Sequence, residues 1–296
     1  MAAGRGASSG ASGIFRAIVT AINSVLSLPR HRPLVTGAQP PYAPRMDHRD
    51  QLVSLSHAVG APTLDAAILG EGNTSIRVDD ATFLVKASGC QLSTLGRDDL
   101  VHLRFDKLLP LLDGGAVSEA ELSAVYEAAK VDAGHKRRPS VEALFHAMCL
   151  QQPGVQVVAH THPTAVNGLT ASRGWPEVLQ GRMFPDEAVV LGPDSVFVPY
   201  VDPGVILARA IRDGIMAYRA RYGATPKTVY MQNHGLIALG ANQTEAVNIT
   251  AMAIKAARIR QIALTTGGIN RLDEATVAHL LGRPDEKYRM AALTGK

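Results

Sequence analysis

Val155-Gln156-Val157-Val158-Ala159-His160-Thr161-His162-Pro163 is the segment on which the architecture turns. Val155 to Ala159 reads as a buried strand, because a short apolar run rich in β-branched residues suits a sheet covered on both faces. Residues i and i+2 of a strand point to the same face. A strand that ends in His160 and His162 therefore aims two imidazoles into one pocket. A metal site can collect two ligands from one rigid element in this way. The plainer alternative is two histidines hydrogen-bonded at a strand end.

The segments on either side fit an α/β domain. Ser140, behind Pro139, opens a helix to about Leu150. This places Glu142 two residues into the helix, where the helix dipole favours a carboxylate. His146 follows one turn later on the same face, either as a fifth ligand or as a residue that orients and packs. Downstream, Thr228 to Gln232 and Leu236 to Leu239 read as strands around Asn233-His234-Gly235, where glycine permits a sharp turn. Upstream, Thr74 to Val78 and Thr82 to Lys86 alternate as a hairpin joined by Asp79-Asp80-Ala81. Leu52, Leu55 and Val59 share one helical face behind Asp47 to Asp50, and Glu119 to Val131 is helical. Val196 to Tyr200 is a short strand, and Pro203-Gly204 starts a helix through about Arg221. Ile249, Met252, Ala256, Ile259 and Ala263 form the apolar stripe of a long helix.

Composition narrows the function. Nearly half the 296 residues are apolar and 19% are charged, as in a folded soluble protein. No apolar run is long enough for a membrane span. Two separated cysteines, Cys90 and Cys149, make no disulfide framework and point to a reducing compartment. Both read as small buried apolar residues. The basic pI comes from residues 1–46, which hold five arginines, no lysine and no acid. Without them, Lys+Arg falls from 30 to 25 against 26 acids, so the body is nearly neutral. Nucleic-acid binders carry basic charge on the folded surface, so nucleic acid is not an expected partner. Residues 1–46 read as a disordered or cleavable extension, with 47–296 as one domain. A cytoplasmic location is expected, or a mitochondrial one if the leader acts as a transit peptide.

Three histidines and one carboxylate make a credible zinc set. Their order and surroundings also carry a resemblance. Gly72-Asn73-Thr74-Ser75, Ala87-Ser88-Gly89, Pro139-Ser140-Val141-Glu142, His160-Thr161-His162-Pro163 and Gln232-Asn233-His234-Gly235 stand in the order of the class II aldolase/adducin family. The resemblance covers roughly Leu52 to Gly268. Lys86-Ala87-Ser88-Gly89 and Phe184-Pro185-Asp186-Glu187 look closer to rhamnulose-phosphate-aldolase-like domains than to adducin.

The resemblance implies a three-layer α/β/α sandwich around a central mixed sheet, and a homotetramer with sites near subunit interfaces. It implies one divalent ion per subunit, zinc being the first choice, on His160, His162, His234 and Glu142. Glu142 would also serve as the catalytic acid/base. The implied reaction is retro-aldol cleavage of a ketose phosphate or related hydroxy-ketone through a metal-stabilised enediolate. Gly72, Asn73, Ser88, Gly89 and Ser140 would hold a phosphate or carboxylate, with Lys86 as a further anion contact. Decarboxylation or epimerisation of a sugar acid or sugar phosphate is the first alternative, and an adducin-like scaffold the second.

Two departures bear on the chemistry. Val141 stands where family phosphate sites often carry a second serine. No tyrosine follows the HxH motif where some fuculose-phosphate aldolases place one. Asp186, Glu187 or Tyr288 from a neighbouring subunit would then supply the second proton. The plain alternative is that all three are exposed polar residues of loops.

Overall fold

A computed structural model describes residues 46–294, which fall in one compact unit. The expectations for residues 1–45 lie outside the described residues. Seven strands form one mixed sheet: β1 (Asn73–Arg77), β2 (Thr82–Lys86), β3 (Leu100–Arg104), β4 (Val157–Thr161), β5 (Val196–Val198), β6 (Thr228–Met231) and β7 (Gly235–Gly240). Their spatial order is β3-β2-β1-β4-β7-β6-β5. All neighbours are antiparallel except β5 and β6. The HxH strand β4 therefore lies at the centre of the sheet.

The helices are α1 (His48–Val59), α2 (Phe105–Leu108), α3 (Glu119–Ala128), α4 (Ala143–Leu150), α5 (Thr164–Thr170), α6 (Pro185–Leu191), α7 (Val205–Tyr222), α8 (Gln243–Thr265), α9 (Glu274–Gly282) and α10 (Pro284–Thr294). Strand alternation sorts the core into two layers. Phe83, Val85, Val158, Val229, Ile237 and Leu239 pack with α3, α4 and α7 on one face. Leu84, Val157, Ala159, Tyr230, Leu236 and Ala238 pack with α1, α5 and α8 on the other. The result is the expected α/β/α sandwich, and β4 is buried along its whole length because both faces are covered.

Several boundaries differ from expectation for identifiable reasons. α3 stops at Ala128 because Val131 N donates to His102 O and leaves the helical ladder. β5 ends at Val198, before Pro199. The long helix α8 buries Ile249, Ala253, Ala256, Ala257 and Arg260, while Met252 and Ile259 lie at the edge of that face. An arginine in the core stripe was invisible to an apolar pattern; its acid partner, Glu187, comes from α6. The hairpin turn is as expected: Asp79 Oδ1 accepts from Ala81 N at 2.9 Å and from Thr82 N at 2.7 Å.

Candidate metal centre

Three backbone devices bring the histidines together. His160 sits within β4, opposite Asn73 of β1 and Ile237 of β7. His162 follows the strand end, where its N–H donates to Ala66 O at 2.8 Å. His234 occupies the β6–β7 turn, with Asn233 in the left-handed region at φ 52°. Gly235 then passes directly beneath the rings. A β-carbon there would lie 2.5 Å from Thr161 O and 2.8 Å from His162 Cδ2, so only glycine fits. The ring centroids end 4.7 Å (160–162), 5.0 Å (160–234) and 5.1 Å (162–234) apart.

Glu142 is brought up from the other side of β1. It does not lie inside a helix as expected; α4 begins at Ala143, and Glu142 is its N-cap residue at φ −97° and ψ 5°. The capping position lets the carboxylate leave the helix axis. Its Oε2 lies 3.3 Å from His160 Nε2, and its Oε1 lies 3.2 Å from His234 Nε2.

The hydrogen bonds fix the tautomers. A carbonyl only accepts, so His160 Nδ1 donates to Leu236 O at 3.0 Å and keeps its Nε2 lone pair free. Glu142 forces Asn73 to turn its amide nitrogen inward, giving bonds of 2.7 Å to Oε2 and 2.9 Å to Ser140 Oγ. Asn73 Oδ1 then faces His146, whose Nε2 must donate to it. His146 Nδ1 accepts from Ser75 Oγ at 2.7 Å. Both ring nitrogens of His146 are occupied, so it orients Asn73 and is not a fifth ligand.

The donor set suits a divalent ion. One nitrogen from each of His160, His162 and His234 lies within 4.8 Å of the others. His162 Nε2 lies 3.0 Å from His160 Nε2 and, with His160 protonated on Nδ1, donates to it; a cation beside the carboxylate would take the place of that proton. Burial pushes the imidazolium forms down, to about 4 for His160 and about 3 for His162. Burial pushes the Glu142 carboxyl up, but the His160 charge and contacts from His234 and Asn73 outweigh it and hold it below the usual range. Neutral imidazoles and an ionised carboxylate are the forms that bind metal.

The expected anion-site residues divide into two groups. Asn73 and Ser140 join the centre itself. Gly72, at φ +65°, passes so close to β4 that a β-carbon would lie 2.5 Å from His160 O. Ser88 and Gly89 form an exposed loop, tied down by Ser88 N donating to Arg138 O at 2.9 Å. Space around Gly89 is open. Lys86 is only 2% exposed, and its Nζ reaches Gly70 O at 3.4 Å and Ala87 O at 3.3 Å. Burial pushes its pKa down, while the fields of Cys90 and Glu142 oppose the shift. Cys149 is buried as expected; Cys90 is only half-buried.

The three second-proton candidates lie in different surroundings. Glu187 is neither exposed nor in a loop: it is fully buried in α6, 2.7 Å from Arg260 and 3.9 Å from Arg182. Asp186 pairs with Arg289. Tyr288 is 79% exposed on α10. A residue that sequence reasoning passed over, Glu71, lies beside the centre, with Oε1 4.0 Å from His162 Nδ1. Its position directly before Gly72-Asn73 was the available signal.

Fold and site together define an α/β/α domain with a three-histidine, one-carboxylate cluster at the end of its central strand. Residues 50–261 match the family model for the class II aldolase and adducin N-terminal domain. The chain belongs to that family. Among curated proteins it is similar to the uncharacterised oxidoreductase YuxG of Bacillus subtilis (strain 168), 26% identical over 218 residues, covering 70% of this chain. It spans only 29% of that relative's length. Among solved structures, YgbL from Klebsiella pneumoniae is described by three alternative activities, aldolase, epimerase or decarboxylase. It aligns with a TM-score of 0.60 at 21% identity, over 80% of this chain and all of that one. The L-fuculose-1-phosphate aldolase of Thermus thermophilus aligns with a TM-score of 0.52 at 18% identity, over 76% of this chain and 98% of that one. At these identities the structural likenesses establish the fold.

Proposed function

We propose that this chain is a metal-dependent carbon–carbon lyase of the aldolase type. Its substrate would be a ketose phosphate or related hydroxy-ketone, and its ion zinc, one per subunit. The observation that carries the reading is Glu142: its two oxygens face two different imidazoles while Asn73 steadies one of them. A carboxylate so placed serves at rest as a ligand beside His160, His162 and His234, and in turnover as an acid/base. A divalent ion bound there supplies Lewis-acid stabilisation of negative charge on neighbouring substrate oxygens.

The protein's own residues do the rest. A base takes the proton of the substrate hydroxyl beyond the bond to be broken; that bond breaks, an aldehyde forms, and its electron pair passes to the enediolate fragment. Glu142, which must first take up a proton from water, then delivers it to the enediolate carbon. Gly72, Ser88, Gly89 and Ser140 hold the anionic end, with the buried Lys86 ammonium behind them; both Asn73 amide hydrogens are taken by Glu142 and Ser140, so Asn73 holds those two residues in place instead. Ser88 also lines a cavity of about 780 Å³ with Arg138, Pro139 and Val141; Glu119, Glu127 and Asp202 line it too, and neither the three histidines nor Glu142 does. Of the three second-proton candidates, Glu187 is buried against two arginines and Asp186 pairs with Arg289 at the surface; Tyr288 is exposed and would act on a neighbouring copy in a homotetramer.

Val141 favours a second reading. Its side chain is 59% exposed where a hydroxyl would serve a phosphate, so a sugar acid handled by decarboxylation or epimerisation is the runner-up. Product analysis separates the readings. Zinc-loaded protein is incubated with a panel of ketose phosphates and sugar acids. Two carbon fragments are expected, and Glu142→Gln should slow their release by about 10²–10⁴-fold. Carbon dioxide or an isomer without fragments would replace cleavage by the runner-up.

A further inference from the structure

The loop of residues 65–72 runs beside His162 and meets it at two points. His162 N donates to Ala66 O at 2.8 Å, and His162 Nδ1 faces Glu71 Oε1 at 4.0 Å. The loop has little freedom. Asp65, Leu69 and Gly72 all hold positive φ, at 56°, 51° and 65°. Gly72 is packed against His160 O, and Thr164 Oγ1 donates to Asp65 Oδ1 at 3.0 Å. Glu71 is itself anchored: its Oε2 accepts from Ile68 N at 3.0 Å, which leaves Oε1 turned to the imidazole.

A ligand imidazole works best when its second nitrogen is held by an acceptor, which fixes the tautomer, aims the ring and raises its basicity. Leu236 O does this for His160. His162 has no carbonyl in that role; the acceptor facing its Nδ1 is Glu71. Among the described residues, Glu71 and Glu142 are the two carboxylates in contact with the histidine triad. Glu142 faces the inner nitrogens, whereas Glu71 faces an outer one.

We infer that Glu71 is a positioning residue of the metal centre. With an ion bound, its carboxylate, 4.0 Å from His162 Nδ1, would favour the Nδ1–H tautomer and so direct the Nε2 lone pair of that ring to the ion. The inference rests on the metal-centre reading above. It assigns no proton transfer with substrate to Glu71; its effect passes through His162.

The test is zinc affinity of the full chain, measured by competition with a chromogenic chelator, for wild type, Glu71→Gln, Glu71→Ala and the remote control Glu274→Gln. Glutamine can keep an oxygen acceptor for Ile68 N but puts an amide NH2 in place of the carboxylate oxygen that faces the imidazole, so it separates loop anchoring from positioning. Thermal midpoints are recorded on the same samples to establish folding. The control should match wild type. Glu71→Ala should bind zinc about 10–100-fold more weakly, with Glu71→Gln between it and wild type. The visible spectrum of the cobalt-loaded protein should change in the same order. Glu71→Gln equal to wild type in affinity and cobalt spectrum would overturn the inference and leave Glu71 as a loop anchor. A wild type that binds zinc no better than His162→Ala would overturn the metal-centre reading, and this inference with it.

Discussion

Asn73 shows how much of the centre hangs on one uncharged side chain. Its amide nitrogen serves Glu142 and Ser140, and its oxygen serves His146. Removing it leaves a buried His146 N–H without an acceptor and a carboxylate without its steadying donor. Asn73→Ala should therefore lower stability by about 1–3 kcal/mol. It should also reduce turnover more than substrate binding, because Glu142 loses its fixed position; chemical denaturation and steady-state kinetics check the two effects. The three histidines of the cluster were legible at this scale. HxH at a strand end and His234 before a glycine announce themselves by spacing. The residues that hold them did not. Glu71 and the Asn73–His146–Ser75 chain depend on which side chains the sheet register brings face to face, and no local pattern records that register.

At the scale of elements, the site is a seam where β4, β7 and the start of α4 meet. The central position of β4 makes its end rigid, and the β6–β7 turn can approach it only through Gly235. A methyl at that position meets backbone and ring atoms together. Gly235→Ala should lower stability by about 1–3 kcal/mol and weaken zinc binding at the same time, read by calorimetry and by metal titration. A variant destabilised but still binding zinc with wild-type affinity would detach the turn from the site. The elements themselves were largely legible, because the apolar runs of the strands and the caps of the helices are local signals. Where expectation missed, a non-local partner was responsible. Glu142 reads as helical from its neighbours, yet the histidines draw it to the capping position. Glu187 reads as a loop acid, yet Arg260 and Arg182 bury it. Both outcomes come from partners far apart in sequence.

Across the whole molecule, the centre costs stability in acid. His146 and His160 are fully buried, and burial holds their pKa values near 3 and 4 against 6.5 for the open side chain. His162 is shifted the same way. Between those values and 6.5 the unfolded chain binds protons that the folded chain refuses, so stability rises with pH across the window and falls as pH drops through it. Glu142, held below its ordinary 4.5, adds a loss of the same sign at more acid pH. The metal-free protein should therefore show a thermal midpoint that decreases steadily from about pH 6.5 towards about pH 4. A flat profile over that range would mean the histidines are solvated. Nothing at this scale points to a membrane span: no helix among the described residues is long and apolar enough to cross one. The fold follows from two apolar layers about one sheet, and the family match over residues 50–261 agrees with it.

Bound metal, measured by elemental analysis on the purified protein against His162→Ala, is the most direct test of the centre. The wild type should carry about one equivalent of a divalent ion per chain, and the variant should lose it while keeping its fold by circular dichroism. A wild type that is metal-free and cannot be loaded with zinc, manganese or cobalt would contradict the account, and the chain would then have to be read as a binding scaffold on an aldolase fold.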